Sequence, residues 1–440
     1  MRDALLLLLV VLCLAATLRH PFIGLLSWAW FTLMTPHQAA YGAFGVPLNL
    51  IIASVTLTAY VVSGEAAKFR FEPVTVLLIA FAGWLGLSQL FSLDPEYSAP
   101  YFDRFLKTLI FVILCAQMAT DKLRFHALVW AIVLCLGFFA VKGALFTFAT
   151  FGEHRVQGLE NTILEDNNHF GIAIASILPL IAYLRGQAAR PWLRWALLGV
   201  LGLSIVSVIG THSRGAFIAL VVFAACYWLR ANRKIAILAG LALLLAPTIA
   251  FMPSKWTERM STIGEAAKDE SFMGRIDAWV INYKLAKDHP LTGAGMRNSY
   301  KKDIAMDVDP KRAQGAKAAH SIYFEVLGGA GFVGLAIYLS LFAAAWISAW
   351  RVYLARHIPT LAPWKSKFAF HAQISLIVFA VGGASTSMEM WDGYLMIIAL
   401  VGALTMMASR EMRRPGYALA AIRGRNWRRK KRLEAITNVA

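Results

Sequence analysis

Runs of roughly 20 apolar residues recur along the chain, near 46–63, 74–91, 102–119, 124–150, 169–185, 191–210, 213–229, 233–251, 321–350, 368–388 and 391–408. A hydrocarbon core of about 30 Å needs about 20 residues of helix to cross, and inside it the backbone has to satisfy its own hydrogen bonds. Eleven such runs commit the chain to an all-α polytopic membrane fold. The stretch 4–34 is divided by Arg19-His20-Pro21 into two pieces of about 15 residues, each short for a full span. They read as two short helices or as one helix and a re-entrant segment, for 12 or 13 transmembrane crossings in all. A cleaved leader over residues 1–19 is not expected, because Asp3 offsets Arg2 where such a leader is positive.

Composition agrees. With 58% hydrophobic and 15% charged residues and a mean hydropathy of +0.59, the chain is neither a soluble enzyme, nor disordered, nor a disulfide scaffold. Its 43 Lys and Arg against 25 Asp and Glu give a net charge of +18. In a soluble protein this would point to nucleic acid; in a membrane protein it points first to cytoplasmic loops, and no nucleic-acid partner is expected. The basic residues collect in alternate loops, at Lys68/Arg70, Lys122/Arg124, Arg185/Arg190/Arg194, Arg230/Arg233/Lys234, Arg351/Arg356/Lys365/Lys367 and from Arg410 through Arg432. One consistent orientation requires that alternation. The opposite, outer side then holds the loops 35–45, 92–100, 151–168, 211–214, 252–320 and 389–391. The chain divides into N-terminal transmembrane helices over 1–251, an outer loop over 252–320, C-terminal transmembrane helices over 321–408 and a basic cytoplasmic tail over 409–440. Cys13, Cys115, Cys135 and Cys226 lie in apolar runs without metal-ligand spacing and read as packing residues. No inverted pair of interrupted helices is visible, which argues against a transporter built from repeats.

The polar residues that could carry chemistry are all on the outer side. Thr211-His212-Ser213-Arg214-Gly215 is a tight turn between two apolar runs and sets Arg214 at the membrane boundary, where a charge is costly and usually functional. Ser271-Phe272-Met273-Gly274-Arg275-Ile276-Asp277 reads as a helix start with Ser271 placed to cap it, followed by an apolar stripe of Ile276, Trp279, Val280 and Tyr283 and stopped by Pro290. The expectation is an amphipathic helix on or near the membrane surface, with Arg275 beside unpaired helix N–H groups that suit a phosphate. His320, in Ala319-His320-Ser321, opens an apolar helix whose start favours a neutral imidazole able to accept a proton. Gly328, Gly331 and Gly334 follow at intervals of three, spaced for close helix contact. Arg155, in Glu153-His154-Arg155, and the cluster Glu165-Asp166-Asn167-Asn168-His169 add a further cation and hydrogen-bonding groups for a sugar or diphosphate; Asp166 or Asn167 also suits a helix cap. Asp307-Val308-Asp309 has the form of a metal-diphosphate pair, but Lys301, Lys302, Lys311 and Arg312 surround it and mark a solvated charge run, so no metal is expected.

Taken in order, these residues resemble the bacterial superfamily of O-antigen ligases, O-antigen polymerases and O-linked oligosaccharyltransferases, with the ligases the best fit. His320-Ser321, then nine residues, then Gly331-Phe332-Val333-Gly334 fits the ligase pattern of His, then Asn, Ser or Gln, nine residues, and Gly-x-x-Gly. Ser213-Arg214-Gly215, Gly274-Arg275 with Trp279, His289-Pro290-Leu291-Thr292-Gly293-Ala294-Gly295 and the segment from Arg155 to Asn168 occur in the expected order, so the resemblance covers about 155–334. Leu18 to Gly42 and Leu164-Glu165-Asp166-Asn167-Asn168 resemble a branch of O-glycosylation ligases, which leaves the acceptor open.

The resemblance implies a GT-C-like, multi-pass glycosyltransferase of the bacterial inner membrane, with its site facing the periplasm and its C-terminus in the cytoplasm. Such ligases move a glycan from undecaprenyl diphosphate to a sugar hydroxyl of lipid A-core, by an inverting displacement without nucleotide sugar, metal or cofactor. Arg214, Arg275 and Arg155 would hold the diphosphate, and His320 would be catalytic, orienting or deprotonating the acceptor hydroxyl. Asp166, Asn168, Ser213 and Tyr323 would contact substrate. Three alternatives remain open at this stage: a polymerase acting on a second lipid-linked glycan, a protein O-oligosaccharyltransferase, and a transporter of lipid-linked glycan.

Overall fold

The structure, a computed structural model, describes residues 2–39, 45–230, 234–261, 270–313 and 318–412. The N-terminal stretch forms two helices, α1 (Arg2–Arg19) and α2 (Pro21–Met34), with the break at His20. A residue before proline is pushed out of the helical region, and Pro21 itself is pre-set for a first helical turn. Next come α3 (Leu48–Val62), α4 (Pro73–Leu90), α5 (Pro95–Met118), α6 (Lys122–Ala149), α7 (Asn167–Gln187), α8 (Pro191–Gly210), α9 (Arg214–Arg230) and α10 (Lys234–Phe251). The outer segment holds α11 (Ser254–Ser261), α12 (Glu270–Asp288) and α13 (Lys302–Val308). The chain ends in α14 (Ile322–Leu354), α15 (Pro363–Gly383) and α16 (Asp392–Met412). Every apolar run read from the sequence is a helix, and the fold is an all-α polytopic membrane protein. Among the described residues seven helices, α4, α6, α7, α8, α14, α15 and α16, are long and apolar enough to cross a membrane by length and composition; α2 and α3 are shorter apolar helices. The basic tail from residue 413 onward lies outside the described residues.

Helices α7 and α16 are buried on most faces and form the centre of the bundle. At one end of the bundle the Lys365 ammonium lies 2.9 Å from the Glu411 carboxylate, and Arg124 forks onto Glu65 with both N–H···O distances at 3.2 Å. At the other end the loops assigned to the outer side bond to one another. Leu93 N–H donates to the Ala294 carbonyl (2.9 Å) and Val156 N–H to Gly210 (2.9 Å), while the Asn167 side chain donates to Thr211 (2.8 Å).

Two expectations for the outer segment are corrected. Helix α12 starts at Glu270, so Ser271 lies inside it and not at its cap. The face it buries carries Ala278, Ile281 and Leu285, which pack with Ala294, Ala305, Ala313 and Ala319, whereas Tyr283 of the expected stripe is exposed. Trp279 is held by its indole N–H on the Ala319 carbonyl (2.6 Å) and stacks on Phe324. The helix therefore seats on protein along a stripe of mainly small residues, which the size of the flanking aromatics had obscured.

The glycines of α14 are corrected in the same way. Gly331 has φ 71° and ψ −174°, so α14 is two helices joined at a break. The break releases carbonyls that would otherwise close helical turns. Gly328 accepts from Ala294 N–H (2.8 Å), Gly329 from Gly295 N–H (3.1 Å) and Ala330 from the Trp84 indole (3.0 Å), while Phe332 N–H donates to Pro290 (2.9 Å). Buried backbone groups have to be paired, so the segment 289–295 is the partner that makes this break affordable. Gly328 does serve close packing, since a methyl there would overlap the Asn282 side chain of α12.

Candidate active site

His320 lies in the turn that leads into α14, half-buried, with φ +45°. A left-handed non-glycine residue costs free energy and persists only where its surroundings over-determine it. Three groups do so here. The His320 N–H donates to the Ser387 hydroxyl (3.0 Å), the Ser387 hydroxyl donates to Glu325 Oε1 (2.6 Å), and Ala319 N–H donates to that same oxygen (2.9 Å). Tyr300 brings a third donor to Glu325 Oε1 at 2.5 Å. Burial, reinforced by the positive charge of Arg275 and by His169, holds the imidazole below its ordinary 6.5. Neutral imidazole is thus the resting form at pH 7, as a proton acceptor requires.

Arg275 is half-buried in the first part of α12 and close enough to His320 for its charge to act on the ring. Arg214 is the first residue of α9, also half-buried. Its turn is fixed from two sides: the Ser213 hydroxyl donates to Asn168 Oδ1 (2.7 Å) and caps α9 by accepting from Ala216 N–H (3.2 Å), while the next residue, Gly215, abuts Ser385. Asp166 caps α7, accepting from Asn168 N–H (2.8 Å), His169 N–H (3.2 Å) and the Asn168 side chain (3.0 Å). Although burial opposes it, the nearby His169 and these bonds hold the Asp166 carboxyl below its usual range. The structure therefore gathers His320, Arg275, Asp166, Asn168, Ser213 and the Arg214 turn at one end of the bundle.

Two sequence-derived site residues are placed differently. Arg155 is exposed and lines a cavity of about 750 Å³ with Lys142 and Gln157 on the α6 side. Tyr323 faces α15, its hydroxyl engaged by the Ala380 carbonyl (2.7 Å). Asp309, of the Asp-Val-Asp pair, accepts from Lys284 (2.8 Å) and from Lys311 N–H (3.2 Å) and lies 3.5 Å from the Arg312 guanidinium. It is a buried anchor between α12 and the loop after α13 and not a solvated charge.

The structure also adds residues that sequence reasoning missed. A cavity of about 460 Å³ is walled by Asp166, His169, Arg297, Ser387, Glu389 and Arg104, among others. Arg297 is left-handed (φ +60°), donates to Tyr300 (3.0 Å) and to Glu389 (3.4 Å), and lies over the rings of Tyr101 and Tyr300. Despite burial, Glu389 and its acidic neighbours keep the guanidinium protonated. Burial raises the Glu389 carboxyl against the pull of Arg297. Glu325 is a lone acid in an apolar stretch, a signal that marks function by default.

Residues 199–339 match the family model described as O-Antigen ligase, and residues 1–189 match that of a family of unknown function. No curated protein matches the chain. The O-antigen ligase match spans Arg214, Arg275, Arg297, His320 and the Gly331 break; this stretch of the multi-pass membrane protein is similar to the O-antigen ligase family, a likeness that supports glycosyl transfer of the ligase or polymerase type.

Proposed function

We propose that the protein is an O-antigen ligase, transferring a glycan from undecaprenyl diphosphate to a sugar hydroxyl of lipid A-core at the periplasmic face of the inner membrane. The observation that carries this reading is a half-buried, neutral His320 beside Arg275, at the end of the bundle where the outer loops meet. His320 takes the proton of the acceptor hydroxyl as that oxygen attacks the anomeric carbon. The bond from that carbon to the diphosphate oxygen breaks, and undecaprenyl diphosphate leaves with the electron pair. Attack opposite the leaving group inverts the anomeric centre. Arg214 and Arg275 neutralise the charge that builds on the diphosphate, a role that needs no divalent metal. Arg155, on the cavity next to the site, contacts the donor at greater distance. Asp166 lines the adjoining cavity, and Asn168 and Ser213, bonded to each other, hold the Arg214 turn.

The test is to incubate the purified protein with a lipid-linked glycan and, separately, lipid A-core, a second lipid-linked glycan and a pilin-like protein. Transfer to lipid A-core is expected. Transfer to either of the others instead would make the protein a polymerase or a protein O-oligosaccharyltransferase.

A further inference from the structure

Helix α5 is long enough to span a membrane yet is not among the seven apolar spans, and it carries Asp103, Arg104 and Lys107 in its middle. Arg104 lies nine residues past the helix start at Pro95, about 14 Å along the axis. Charges at such positions are costly and mark substrate paths. Lys107 is paired with Asp103 at 2.5 Å, and Asp392, the next acid, accepts from Thr108 at 2.8 Å. Arg104 is exposed and makes no hydrogen bond or ion pair at contact distance among the described residues, although its charge acts on Asp392, which lines the same cavity.

Arg104 also stands where two cavities meet. One, of about 330 Å³, lies between α2, α5, α6 and the loop before α7; its wall combines Trp28, Leu33 and Phe111 with Lys107, Asn49 and Asn161. The other is the 460 Å³ cavity that reaches Arg297 and Ser387, the residue holding His320. Arg104, Thr108, Thr162 and Ile163 line both. An apolar wall with a polar rim and one unpaired guanidinium fits the junction of a lipid chain and its phosphate.

We propose that Arg104, with Lys107 beside it, binds a phosphate of a membrane glycolipid headgroup at a lateral entrance to the site. The inference rests on the function proposed above only for the direction of travel; phosphate binding itself is read without turnover. The shared chemistry is a lipid-borne phosphate, from the donor diphosphate or from the phosphates of lipid A. Full-length wild type, Arg104→Gln and Arg104→Lys are each titrated with undecaprenyl diphosphate, lipid A, phosphate-free lipid A and phosphatidylglycerol. Arg104→Gln is expected to weaken binding of one phosphorylated probe about tenfold, as loss of a charge-assisted contact does. Arg104→Lys retains part of it, while phosphate-free lipid A and phosphatidylglycerol bind all three proteins alike. Which probe weakens identifies the lipid that uses this entrance. Unchanged binding of both phosphorylated glycolipids, or equal weakening of phosphatidylglycerol, overturns the proposal. Wild type that transfers to no acceptor but still loses binding with Arg104 would sink the function and keep the entrance.

Discussion

The backbone N–H of His320 and the hydroxyl of Ser387 are joined at 3.0 Å, and through that hydroxyl the left-handed turn of His320 is tied to Glu325. Ser387→Ala removes the acceptor and leaves the turn held by Ala319 alone. The expected result is a kcat lowered about tenfold with donor binding retained, and a stability loss of about 1 kcal/mol. Parallel measurement of turnover, donor binding and melting temperature checks it; an unchanged kcat would show that the turn needs no such support.

Arginine and histidine variants are expected to fail differently. Arg214→Ala or Arg275→Ala removes a charge-assisted contact worth about 1.5 to 3 kcal/mol, so donor affinity and turnover both drop, and lysine restores only part because it lacks the planar fork. His320→Ala leaves donor affinity nearly intact and lowers turnover by about 10² to 10⁴. Near-normal transfer by His320→Ala would reassign it as a structural turn residue.

The pH profile carries a sign. Burial, Arg275 and His169 place the His320 imidazole below 6.5, so the base stays unprotonated through neutral pH and the rate falls only on the acid side of 6.5. Arg275→Gln takes away a positive charge and moves the acid limb upward toward 6.5 in whatever activity remains. The unfolded chain binds the proton more readily at this position, so its contribution to stability is lost as pH falls from 6.5 toward the folded value. A rate profile centred above 6.5 would contradict the assignment.

Gly331→Ala tests the break in α14. A side chain at φ 71° is strained by about 1 to 3 kcal/mol, and its methyl would overlap the Leu291 carbonyl. The melting temperature is expected to fall sharply, with turnover falling alongside because the same segment leads to Arg297. Gly199→Ala, on an open face of α8, is the control and should be neutral.

Asp307→Asn with Asp309→Asn is expected to keep transfer, and EDTA is expected to leave it unchanged. The double variant weakens the Asp309 contacts with Lys284 and Arg312, whose own side chains are part-exposed, so the loss of stability is modest. Loss of transfer on chelation, with recovery on adding magnesium, would replace the arginine-based account of the diphosphate.

The sequence by itself determined the helices, because runs of about 20 apolar residues admit no other spanning structure, and alternating basic loops predicted which loops share a side. The bonds between Leu93 and Ala294 and between Asn167 and Thr211 are those of loops already grouped together. His320 and Arg214 were legible because each is a polar residue at a helix start in an apolar chain, and Arg275 because of its Gly-Arg motif, although it lies five residues past the start of α12. Arg297, Ser387 and Glu389 were not, since their meaning comes from meeting Glu325 and Tyr300 across segments far apart in sequence. Tertiary structure alone decided that Gly331 is a break paired with residues 290–295, because spacing records which residues are small and not which carbonyls lose their helical partners.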